Sequence, residues 1–190
     1  MVSQFVSSHK VRLLGDLAFD FPEGTHAIGR LDNHSEGLLL LTTNKKVTKL
    51  LFESKQPHKR TYLVKVRRIV TPEILLKLQT GTSIIIKGGS NYITTPCDVQ
   101  IVEPPIDLFV GGANQSNPRL DLPSTWLNIT LTEGKYHQVR KMVASVNHQC
   151  VRLIRMSIEN LTLGNLQSGE VKEVEETYFF KQLDIDDWLE

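Results

Sequence analysis

Cysteine is scarce: Cys97 and Cys150 are the only two in 190 residues, they stand far apart, and neither belongs to a C-x-x-C pair. That excludes a disulfide framework and a zinc ribbon, and leaves packed, reduced thiols as the expectation. The six histidines are scattered along the chain, so no metal site is expected. No apolar run approaches the roughly 18 residues of a spanning helix. The opening MVSQFVSSHKVRLLG lacks the ordered charged, apolar and cleavage regions of a secretory signal, which points to a cytoplasmic protein away from membranes. Aromatics are few at 7%, but 40% hydrophobic content suffices for one good-sized domain or two small lobes sharing a core.

Net charge is also small, +1, and conceals an asymmetry. Residues 170–190 hold eight acids against Lys172 and Lys181, a net of −6, which leaves 20 basic and 13 acidic residues, +7, on the rest of the chain. A body with that excess can hold a polyanion, and an acidic end can keep it off the wrong ones; a solvated surface with an acidic helix at its end is the plainer reading.

The densest chemistry lies in Ala27 to Asn44, AIGRLDNHSEGLLLLTTN. Ala27-Ile28 and the run Leu38 to Leu41 read as buried strand on either side of a polar turn that Gly29 and Gly37 bracket. A turn of this kind presents Asp32 rather than burying it, either for chemistry or as an Asx cap. Asn44 reads as the N-cap of a helix over Lys45 to Glu53. Leu13, Leu14, Leu17 and Phe21 recur at helical spacing before a turn at Pro22, Glu23 and Gly24.

Residues 57 to 70, PHKRTYLVKVRRIV, alternate, with Tyr62, Val64 and Val66 on one side of a strand and Leu63, Lys65 and Arg67 on the other. His58, Lys59, Arg60, Lys65, Arg67 and Arg68 fall within eleven residues, a density suited to phosphate contacts or to an ordinary charged strand edge. Thr71-Pro72-Glu73 opens a helix that Gly81 closes. Strand-like runs follow at Ser83 to Lys87, Tyr92 to Thr95 and Asp98 to Val102, with Gly88-Gly89 as a hairpin turn. The Pro- and Gly-punctuated stretch from Glu103 to Ser124 has the length of a functional or mobile loop. From Ser124 an alternating strand leads to Glu133-Gly134 and then to a helix from about Lys135 to Asn147, whose core stripe is Val139, Met142, Val143 and Val146. At about 100° per residue Arg140 falls about 60° from Val143, at the edge of the stripe, and Lys141 points away.

The string GRLDNHSEGLLLLTTN resembles the signature G-R-L-D-x-x-[ST]-x-G-L-L-[LV]-L-T-[NT] of the bacterial pseudouridine synthases that act on small- and large-subunit ribosomal RNA. The resemblance implies that Asp32 is the catalytic residue, with Arg30 and Ser35 as supports. K-R-T-Y is similar to a segment whose tyrosine stacks on the target base, which implies that role for Tyr62. EGKYHQVRKM resembles E-G-x-x-[RH]-Q-[VL]-[RK]-[RK]-M and implies an ion pair of Arg140 with Asp32. RNA contacts are implied at Arg30, Lys59, Arg60, Lys135, His137 and Gln138. CVRLIRMSIENLTLGNLQSGEV resembles the closing R-L-x-R and L-x-x-G-E motifs and implies Leu163 as an apolar wall of the pocket. Glu159 departs from the glycine usual at its position, so the turn there is expected to differ.

The likeness covers roughly residues 1–174, with residues 175–190 as an acidic extension. LPSTWL together with EGKYHQVRKM most resembles the pseudouridine synthase E branch of the enzymes acting on large-subunit ribosomal RNA. As in that branch, no S4-type RNA-binding domain stands before the catalytic motifs in these residues. The implied fold is α+β, a mixed, largely antiparallel sheet with packed helices and a basic cleft across its middle. The family's catalytic domain opens with a strand ending in K-P-Y just before the residues matching Met1 to Phe5. The expectation is therefore a chain short of that strand by about ten residues, monomeric unless the uncovered edge draws in another chain.

The implied reaction breaks the N1–C1′ bond of uridine, turns the base and joins C5 to C1′. It involves no net redox change, so no cofactor is called for. A stacked uracil must first be flipped out, and the detached base kept from diffusing away. Asp32 would serve as nucleophile on the sugar or as base, with an arginine nearby favouring its ionised form. Two other readings fit parts of the pattern: a glycoside or nucleoside hydrolase using Asp32 and Glu36 as paired carboxylates, and a non-catalytic RNA-binding or ribosome-assembly module.

Overall fold

The chain divides twice, after Arg60 and after Leu153, into one unit of Met1–Arg60 with Ile154–Glu190 and another of Thr61–Leu153. The computed structural model describes residues 1–52, 57–103, 123–186 and 188. Most of the long loop expected between Glu103 and Ser124 lies outside the described residues, as do Glu53, Asp187 and Glu190.

Thr61–Leu153 is built on alternation. Along β8 (Ser124–Leu131) every second residue is buried, so Thr125, Leu127, Ile129 and Leu131 face inward. This strand pairs antiparallel with β7 (Asp98–Ile101), placing Val99 opposite Ile129. On its other side stands β4 (Arg60–Arg67), followed by β9 (Cys150–Ile158), in the order β9-β4-β8-β7. Val64 and Val66 of β4 join Val99, Leu127 and Ile129 in a core that α2 (Pro72–Thr80) and α3 (Gln138–Ser145) complete with Leu78, Val139, Met142 and Val143. The Thr71 hydroxyl accepts from Ile74 N–H at 3.4 Å, so α2 starts where its cap and N1 proline place it. The hairpin of β5 (Ser83–Ile85) and β6 (Asn91–Ile93) turns through Gly88-Gly89.

The outer side of β4 is less basic than its sequence implies. Leu63 is buried, the Thr61 and Thr130 hydroxyls share a hydrogen bond of 2.9 Å, and the Lys65 ammonium lies 5.8 Å from the centre of the Trp126 ring. Both thiols are free, and burial pushes each up, that of Cys97 to about 11.

The first unit has its own core of Ile28, Leu38, Leu40, Val47, Leu51, Ile158, Phe179, Phe180, Leu183 and Ile185. Here β1 (His26–Ala27) pairs with β3 (Leu41–Thr42), while β2 (Glu36–Gly37) lies parallel to β9, and β10 (Leu161–Thr162) returns antiparallel along it. The expected continuous strand over Leu38 to Leu41 is divided between two partners. Leu38 N–H donates to Arg155 C=O at 2.8 Å, and two residues later Leu40 C=O accepts from Ile28 N–H at 2.9 Å. Ahead of α1 (Val47–Phe52) the Asn44 side chain accepts from Lys46 N–H at 3.0 Å, in keeping with its reading as a cap. The spacing of Leu13 to Phe21 yields only a 3-10 turn at Leu14–Asp16.

The acidic end is two-sided. In α4 (Glu176–Gln182) Glu176 stays outside while Phe179 and Phe180 turn inward, followed by Leu183 and Ile185. Phe180 stacks on Trp188 with ring centres 4.5 Å apart and planes 5° from parallel. Removing so large a buried ring leaves a cavity, so Phe180→Ala should cost about 3–4 kcal/mol of stability, read as a lowered denaturant midpoint. An unchanged midpoint would mean that this helix is not part of the core. Among the described residues no helix is long and apolar enough to cross a membrane.

Candidate active site

The Asp32 loop is held by main chain at its turn and by distant residues at its stems. Ser35 N–H donates to Asp32 C=O at 2.8 Å, which closes the turn and leaves Asp32 half-buried and Arg30 exposed. One residue upstream, the Ser3 hydroxyl accepts from Leu31 N–H at 3.0 Å and lies 3.2 Å from Leu31 C=O as donor. At the far stem Gly37 lies against Arg155, whose buried side chain donates from Nε to Leu38 C=O at 2.8 Å. A carboxylate on a loop pinned in this way is presented with little freedom to wander.

The basic segment before β4 separates into two kinds of residue. Lys59 is exposed and Arg60 half-buried, but His58 is 3% exposed and packs its Nδ1 3.4 Å from the Glu159 carboxylate. His58 is therefore part of the interior rather than a phosphate contact. Glu159 sits in the β9–β10 turn at φ +46°, the left-handed region where glycine is the easy choice. Its carboxylate accepts from Lys59 N–H, and its own N–H donates to Lys59 C=O at 2.9 Å. Those bonds offset the strain that glycine would have avoided. Leu163 is half-buried against the core of this unit, its N–H donating to Met156 C=O at 2.7 Å.

In the second unit α3 begins at Gln138, three residues later than its periodicity suggests, because His137 takes a left-handed φ of +54°. Gln138 is 4% exposed, and both ends of its amide are used internally: Oε1 accepts from Lys135 N–H at 2.8 Å, and Nε2 donates to Glu133 Oε1 at 2.6 Å. Glu133 also accepts from Thr95 N–H at 3.1 Å and from the Tyr92 hydroxyl at 2.5 Å. That last bond, with burial and the neighbouring charge, raises the Tyr92 phenol above its ordinary value. Gln138 thus braces the turn into α3 instead of facing RNA.

Arg140 is half-buried two residues into that helix, near enough to Cys150 that its charge opposes the upward push of burial on the thiol. Lys141 does not simply point to solvent: its ammonium donates to Ile85 C=O at 2.6 Å. Tyr62 packs half-buried against the core of this unit. Lys135 is exposed, and His137 is half-buried beneath the Tyr136 ring. The expected site residues are thus divided, with Arg30, Asp32, Lys59, Arg60 and Leu163 in the first unit and Tyr62, Lys135, His137, Gln138 and Arg140 in the second.

Sequence reading missed Ser3, Arg155 and Glu133. Arg155 and Glu133 do lie in recognisable motifs, R-L-x-R and E-G-x-x-[RH]-Q, which mark them without saying what they hold. Ser3 carries no signal.

Residues 15–145 match the family model for RNA pseudouridylate synthase. The chain is similar to proteins named ribosomal large subunit pseudouridine synthase E: 34% identical to that of Vibrio parahaemolyticus, over 92% of this chain and 69% of the relative, and 36% identical to that of Vibrio vulnificus, over 91% and 70%. A solved structure described as a pseudouridylate synthase superposes with a TM-score of 0.67 at 26% identity, covering 86% of this chain and 63% of that one. The α+β architecture with its largely antiparallel sheet agrees with that likeness. The chain belongs to the RNA pseudouridylate synthase family, whose members are isomerases that convert uridine in RNA to pseudouridine.

Proposed function

We propose that this chain isomerises a uridine of large-subunit ribosomal RNA, in the cytoplasm, with Asp32 as its catalytic carboxylate. The observation that carries this reading is the Asp32 loop itself: its sequence follows the family signature, and its stems are pinned by Ser3 and Arg155, which leaves the carboxylate on a rigid support. Support for the large subunit comes from the names of the relatives. The N1–C1′ bond breaks and the C5–C1′ bond forms; C5 gives up its proton and N1 gains one, so electrons balance without an oxidant. Tyr62 stacks on the flipped uracil, Leu163 closes the pocket, and Arg30, Lys59, Arg60, Lys135 and His137 bind the RNA. Tritium release from C5-labelled large-subunit RNA tests the reaction, and pseudouridine mapping of ribosomal RNA from cells with and without the gene tests the substrate. RNA binding without any tritium release would instead mark a non-catalytic module.

Arg140 supplies the charge that orients the carboxylate. Arg140→Met should then cut turnover about 10²-fold with little change in RNA affinity, because an orienting charge acts on the barrier more than on phosphate binding. Lys77→Met on the exposed side of α2 is the comparison, Lys141 being unsuitable since it holds the Ile85 carbonyl. If the two act as a unit, Asp32→Asn combined with Arg140→Met should be no slower than Asp32→Asn alone. Additive losses would reject the pair.

A further inference from the structure

We infer that the Tyr136 ring, backed by His137, is a stacking surface for an unpaired base of the RNA substrate other than the target uridine. The inference rests on RNA being the substrate. Tyr136 is 64% exposed, yet its ring is already ordered, stacked on the His137 imidazole with centres 3.9 Å apart and planes 18° from parallel. An exposed aromatic held flat in this way offers π surface at little further cost in side-chain entropy.

The backbone beneath this pair is not what the helix would choose. His137 occupies the N-cap of α3 at φ +54° and makes no side-chain cap hydrogen bond, where an extended Ser, Thr, Asp or Asn would stabilise the helix. A left-handed residue other than glycine is strained. In return the kink places the imidazole under Tyr136. Buttressing is supplied from elsewhere, by the Glu133 and Gln138 bonds that fix the same turn.

Charge identifies the occupant. The Lys141 ammonium lies 5.2 Å from the Tyr136 ring centre, anchored on Ile85 C=O, and the exposed Lys135 begins the same turn with its ammonium 4.7 Å from the Tyr92 ring centre. The carboxylate in this turn, Glu133, is occupied by Tyr92, Thr95 and Gln138. An ammonium beside the exposed Tyr136 ring and a second, exposed lysine at the start of the same turn suit a nucleotide, phosphate on lysine and base on tyrosine, better than an apolar protein surface.

The test uses the full chain, as wild type, Tyr136→Ala and Tyr136→Phe, with a fluorescent single-stranded oligoribonucleotide of mixed sequence and a blunt duplex of the same sequence. Tyr136→Ala should weaken single-strand binding about tenfold and duplex binding less than about twofold, while Tyr136→Phe stays within about twofold of wild type. The salt dependence of Tyr136→Ala should match that of wild type, because no phosphate contact is lost, and a 2-aminopurine in the single strand should be quenched by wild type but not by Tyr136→Ala. Wild-type affinity in Tyr136→Ala, equal losses on strand and duplex, a Phe variant as weak as the Ala variant, or no single-strand binding by wild type would each overturn the inference. Binding is read without turnover, so the two readings fail separately. Normal tritium release with unaltered Tyr136→Ala binding sinks only this inference, and the predicted binding pattern without tritium release sinks only the proposed reaction.

Discussion

Asp32→Asn should lower tritium release from C5-labelled RNA by at least ~10³-fold while leaving RNA affinity and melting temperature almost unchanged. Stability is spared because the turn is closed by a main-chain bond, Ser35 N–H to Asp32 C=O, and its stems by Ser3 and Arg155, none of which needs the carboxylate. Affinity should be spared because Asn has nearly the same shape and the proposed phosphate contacts are made by basic residues rather than by this carboxylate. Reaction is lost because an amide can neither attack the sugar as a carboxylate does nor accept a proton at neutral pH. Asp32→Glu is the informative companion. On a loop this firmly pinned, one added methylene displaces the carboxylate by about 1 Å, and a comparable loss shows that placement as well as charge is required. Retention of more than a few per cent of wild-type turnover in Asp32→Asn would remove this residue from the chemistry.

Local pattern made much of the scaffold legible. Strict alternation from Ser124 to Leu131 and the Thr-Pro-Glu start of α2 each involve neighbours in sequence, and each appears where those neighbours place it. What stayed hidden depends on distance along the chain. Ser3 grips Leu31 from 28 residues away, and Arg155 grips Leu38 from 117 residues away, separations that no periodicity encodes. The acidic end was read by its charge, yet Phe179, Phe180, Leu183 and Ile185 share the other side of the same segment and fill a core. His58 reads as one more cation in a basic run, but Glu159, far downstream, stands beside it in the interior. In the loop before α3 the periodicity ran on through Lys135, because nothing in composition announces that a histidine will turn left-handed. Motif resemblance pointed to Asp32 and Arg140; the residues that make their supports rigid emerged only from the packing.

The Asp32 loop depends most on a position with no side chain. Gly37 has φ +103° and pairs with Arg155 across the parallel contact of β2 and β9, so a Cβ there would stand 2.3 Å from Arg155 O and 2.6 Å from Arg155 N. Neither atom can move aside, since that carbonyl accepts from Leu38 N–H at 2.8 Å and the same arginine's Nε returns a bond to Leu38 C=O. Gly37→Ala must therefore separate the strands, giving up the bonds that seat Leu38 and the Arg155 side chain, and should cost at least about 4 kcal/mol. In melting temperature that is a fall of about 10 °C or more for a chain of this size. Gly24 supplies the control: its φ of +82° is also left-handed, but a Cβ there meets nothing within 4 Å, so Gly24→Ala carries backbone strain without the clash. That variant should lose only about 1 kcal/mol. Equal melting temperatures for the two variants would mean that β2 does not lie against β9. A large gap between them, with turnover falling in Gly37→Ala even at temperatures where it remains folded, would place the rigidity of the Asp32 loop in this one close approach of backbone to backbone.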